Sequence, residues 1–88
     1  MKIQINFNSG LNNLISLDVI VSEEEFFGML NKNFPERIFI SAINEMKNKF
    51  KDNNIIKTIT DITIVDIQSK MVICLDLNSI KIIKEKYL

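Results

Sequence analysis

The 88-residue chain has no histidine and no tryptophan, one cysteine, one proline, one tyrosine and two glycines. Without histidine, the commonest general base and the commonest metal ligand are missing, so Ser-His-Asp and Cys-His arrangements and imidazole-based metal centres are excluded. Gly10 and Gly28 stand too far apart for a phosphate loop or a dinucleotide fingerprint, each of which needs closely spaced glycines. A single cysteine, Cys74, forbids an internal disulfide and a cysteine-only zinc site. Its neighbours Ile73 and Leu75 predict a buried, inert thiol in a reducing compartment.

Charge of either sign is also lacking in excess. Eleven basic residues balance eleven acidic ones, so no long-range field steers the chain onto nucleic acid or an anionic membrane, and it is no acidic mimic of DNA. No run reaches the roughly 18 apolar residues of a membrane span. The alternating start MKIQINFN lacks the apolar centre of a signal peptide. The expectation is one soluble, cytoplasmic domain, residues 1–88, with no membrane contact, no cofactor, no metal and no catalysis.

What is present is apolar: 47% of residues are hydrophobic and 25% charged. That is a high apolar share for a chain short enough to bury only about 60–65% of its unfolded surface. Isoleucine, asparagine and lysine dominate. Their A+T-rich codons point to a low-GC bacterium or one of its mobile elements.

Ile3, Ile5 and Phe7 alternate with Lys2, Gln4, Asn6 and Asn8, the period of a strand with one wet face. Turn chemistry at Ser9-Gly10-Leu11-Asn12-Asn13 leads to a second strand with Ile15, Leu17, Val19 and Val21 on one side, so the two form a hairpin. The stretch VSEEEFF then starts a helix. Ser22 at the N-cap and Glu25 at N3 spell a capping box, Val21 and Phe26 a hydrophobic staple, and Glu23 and Glu24 fall where the helix dipole favours carboxylates. The three acids therefore read as a helix start rather than an acidic site.

This helix carries Phe26, Phe27, Met29, Leu30 and Phe34 and ends near Asn33. A second opens with Pro35 at N1 and shows the best helical stripe in the chain: Phe39, Ala42, Ile43, Met46 and Phe50. Residues 56–67 and 71–77, separated by Gln68-Ser69-Lys70, predict a second hairpin. The tail, residues 79–88, suits either a helix or a strand, and its isoleucines favour a strand. The predicted fold class is α+β: an antiparallel sheet of four to five strands with two helices packed on one face, in the order ββααββ plus a strand or helix.

Asp18, Asp61, Asp66 and Asp76 lie on predicted strands, where carboxylates deter wrong strand pairing; no spacing makes them converge. The surplus apolar surface points instead to a non-catalytic protein-binding module, an accessory or inhibitor-like, host-defence-modulating protein of a phage or other mobile element. Ile38 and Ile40 flank the second helix's stripe and are expected to be half-exposed. Leu14, Ile20, Ile62 and Ile64 are expected on the sheet face away from the helices. Covering that face with a second copy predicts a homodimer. The alternative is a nucleic-acid regulator holding phosphates weakly with Lys47, Lys49, Lys51 and Lys57, although Arg37 and Tyr87 are poor equipment for base readout.

Overall fold

A computed structural model describes the chain except residues Lys32, Phe34, Asn53, Asp76 and Leu88, and describes Ser79, Ile83 and Tyr87 by backbone alone. The elements are β1 (Lys2–Ser9), β2 (Asn12–Ile20), α1 (Glu23–Leu30), α2 (Glu36–Phe50), a 3-10 turn (Ile55–Thr58), β3 (Asp61–Asp66), β4 (Val72–Cys74) and α3 (Leu77–Tyr87). The strands make one antiparallel sheet in the order β2-β1-β3-β4. The α+β class and the four-stranded sheet are as expected.

The first hairpin follows its turn residues. Gly10, at φ 59, takes the first central position of the two-residue reversal between Ser9 and Asn12, a place where glycine accepts a positive φ without strain. β1 then pairs Ile3, Ile5 and Phe7 with Val19, Leu17 and Ile15. On its other side it pairs Ile5 with Ile64 and Phe7 with Ile62. Residues directly opposite share a face, so these side chains form one apolar layer.

α2 packs against β2, and α3 against β3. Phe7 meets Phe39 edge-to-face, with ring centroids 6.3 Å apart. Burial of each such side chain contributes about 1.5–3 kcal/mol relative to exposure. The core continues through Val21, Phe26 and Met29 to Ile56, Ile59 and Ile80.

The start of α1 is as read. The Ser22 side chain accepts from the Glu25 amide at 3.0 Å, and the Glu25 carboxylate accepts from the Ser22 amide at 3.1 Å. Val21 and Phe26 are both buried.

Several boundaries differ. α1 ends at Leu30 with Asn31 as C-cap, and Pro35 is the N-cap of α2 rather than its first residue. The expected strand 56–67 shrinks to Asp61–Asp66, because residues 55–58 close a 3-10 turn despite their β-branched composition. The tail is a helix, not a fifth strand: α3 begins at Leu77 and turns Ile80 into the core, a stripe that lets it cover β3, whereas a fifth strand would leave that part of the sheet bare. Phe34 and Asp76 lie outside the described residues.

The expected exposed face also needs correcting. Ile62 and Ile64 are 0% exposed, because register with Phe7 and Ile5 places them under the helices. Leu14 is buried because a bulge between Phe7 and Asn8 makes it the extra residue of β2, turning it to the same side as Ile15. Ile38 is buried because the covered arc of α2 spans about 140°, from Ile38 round to Ile43. Cys74 is exposed, not buried, since it stands opposite Thr63 on the outer face while Ile73 stands opposite Ile64.

Candidate functional site

Toward its Gly10 end the outer face of the sheet, expected to be apolar and to need a cover, carries polar side chains that satisfy one another. Ser16 Oγ donates to Asn6 Oδ1 at 2.6 Å, and Asn6 Nδ2 donates to Thr63 Oγ1 at 3.3 Å. Asn13 Nδ2 donates to Asn8 Oδ1 at 2.9 Å, and Asn8 Nδ2 to Asp61 Oδ2 at 2.8 Å. Two hydrogen-bonded rows thus cross three strands, while Ile20, Val65 and Val72 occupy the other end of this face.

The expected site residues scatter. Of the six apolar candidates, only Ile20 (76% exposed) and Ile40 (47%) reach solvent. They lie on opposite layers, Ile20 at the end of β2 on the outer face and Ile40 on the solvent side of α2.

Of the four lysines, Lys49 has a local partner. Lys49 folds back so that its ammonium donates to the Leu14 carbonyl at 2.7 Å and sits 5.2 Å from the Phe50 ring centroid. Lys51 is the C-cap of α2 at φ 53, and the Lys57 carbonyl accepts from Lys84 Nζ at 3.0 Å. Lys47 and Lys49 also occupy the last turn of α2, where the helix dipole favours them.

Three carboxylates, those of Asp61, Asp66 and Glu25, have local partners. Asp61 accepts from Asn8 and Thr60, and Asp66 holds the β3–β4 turn by accepting from Ser69 Oγ at 2.8 Å and the Gln68 amide at 3.1 Å. The Ser69 hydroxyl, with the turn amides, holds the Asp66 carboxyl below its ordinary value. Glu25 is held low first by the Ser22 amide and then by Arg37, whose Nη2 lies 2.9 and 2.8 Å from its two oxygens. Asp76 is outside the described residues. Among the described residues no three His, Cys, Asp or Glu side chains are placed to hold a metal ion, and no helix is long and apolar enough to cross a membrane.

The structure draws attention instead to β4. Asp66 N donates to Met71 O at 2.9 Å and Leu75 N to Ile62 O at 3.0 Å. The intervening register then turns the backbone groups of Ile73 toward β3 and those of Val72 and Cys74 outward, at the sheet edge. Met71, Val72 (57% exposed) and Cys74 present their side chains to solvent, and Leu77, 79% exposed, continues this strip into α3. The strand holds no charge and no proline. The signal was available in the stretch MVICL, an apolar run without the charges that normally guard an edge. Its place at the edge was not available, because strand order is not written in any one segment.

The chain matches no family model, no curated protein and no solved structure.

Proposed function

We propose that the chain is a small, non-catalytic protein-binding module that takes up an extended segment of a partner along the outer edge of β4. The observation that carries this reading is the edge itself, where the outward backbone groups of Val72 and Cys74 lie among exposed apolar side chains. Strand addition draws its affinity from main-chain hydrogen bonds and its specificity from alternate side chains, and both are on offer here. Small size, balanced charge and missing catalytic residue types support the same reading, as they support an accessory role in a mobile element. The alternative, a nucleic-acid regulator using Lys47, Lys49, Lys51 and Lys57, has less support, since the Lys49 ammonium is engaged by the Leu14 carbonyl.

Affinity capture from a bacterial lysate tests it, using the wild-type chain beside Val72→Lys, which places a charge on the edge while leaving the β3–β4 pairing intact. A stoichiometric protein held by the first and lost by the second supports the reading. Equal capture by both overturns it.

A further inference from the structure

A cleft of about 320 Å³ begins where β4 stops, lined by Ile59, Thr60, Leu77, Ile80, Lys81 and Lys84. Resting on the strand-addition reading, we propose that the segment docking on β4 carries an acidic residue beside an apolar one at the end that reaches this cleft.

Ile59 and Ile80 are buried and give the cleft an apolar floor, and Lys81 and Lys84 are among its lining residues. Lys84 is steadied there by its 3.0 Å hydrogen bond to the Lys57 carbonyl. Among the described residues that line the cleft the charged ones are Lys81 and Lys84, with the Asp61 carboxylate behind Thr60, whose Oγ1 donates to it at 3.0 Å; the complement of the two lysines is a carboxylate. Leu77 lines the cleft, is 79% exposed and stands three positions beyond Cys74 in the chain.

The sheet is antiparallel throughout. An added strand in the same sense runs opposite to β4 and brings its first residues to Leu77.

The test is a titration of the isotope-labelled full chain, followed by amide NMR. The probe is a capped hexapeptide that begins Asp-Leu and continues with alternating valine and threonine; the control has lysine in place of the aspartate. The acidic peptide is expected to shift Val72, Cys74, Leu77, Lys81 and Lys84 and to bind about tenfold more tightly than the control, the swing given by one exposed ion pair gained and one repulsion avoided. A Lys81→Glu, Lys84→Glu chain should reverse the preference, and Lys81→Gln, Lys84→Gln should abolish it if the reversed chain folds poorly. Equal affinity for both peptides, with shifts along β4, overturns the acidic preference and leaves strand addition standing. If neither peptide shifts Val72 or Cys74 at millimolar concentration, both ideas fall.

Discussion

The two edges of the sheet are built on different terms. β2 is nine residues long, and a strand of that length left bare would template further strands. It is guarded by a bulge opposite Phe7 and Asn8, by Lys49 seated on the Leu14 carbonyl, and by Asp18 among its outward residues. β4 is three residues long and has no such device in the strand. Its shortness limits runaway growth, yet it leaves a stretch of apolar edge open. This small chain thus closes its long edge with several devices and leaves its short, apolar edge without one in the strand.

The largest expected effect breaks the layer that joins the two edges. Ile64→Ala removes a fully buried side chain on β3, between β1 and β4. It should lower stability by about 2–5 kcal/mol in denaturant unfolding. Next, prolines can distinguish the inward and outward residues of β4. Ile73→Pro deletes a ladder donor and should cost at least about 1–2 kcal/mol, with loss of amide protection at Ile64. Val72→Pro removes only an outward N–H and should stay within about 0.5 kcal/mol of wild type.

On the guarded side, Lys49→Met keeps the aliphatic packing but uncaps the Leu14 carbonyl. A loss of about 1 kcal/mol is expected, with faster amide exchange around Leu14. The smallest effect tests the helix start next to β2. Because Glu25 titrates below its ordinary value of 4.5 when folded, its stabilisation is complete above that pH and is lost as pH falls through the depressed value. Glu25→Gln should therefore unfold with a shallower dependence on pH below 4.5 than wild type, measured by melting temperature across an acid series.

What could be read from the sequence was local. The capping box at Ser22 and Glu25, the alternation of Ile3, Ile5 and Phe7, and the hairpin at Gly10 each depend on residues a few positions apart. The errors depended on partners. Residues 62 to 67 are apolar on both faces, so only their register with β1 decides that Ile62 and Ile64 go inside. A one-residue bulge turned Leu14 inward against the alternation, and the wide covered arc of α2 took in Ile38 but not Ile40. The tail became a helix because β3 needed a cover, a requirement set by the sheet and not by residues 79–88 themselves. The candidate edge was hidden for the same reason: MVICL is visible as a strand, but an edge is a property of strand order.

Proline placed on each edge in turn separates the guarded edge from the open one. Both Asp18 on β2 and Val72 on β4 turn their backbone groups out of the sheet, so neither substitution removes a ladder hydrogen bond. With melting temperatures checked for all three chains, protein capture is compared for wild type, Asp18→Pro and Val72→Pro. Asp18→Pro is expected to capture a partner as wild type does, while Val72→Pro captures none. Capture that survives Val72→Pro, or that is lost with Asp18→Pro instead, would contradict that expectation.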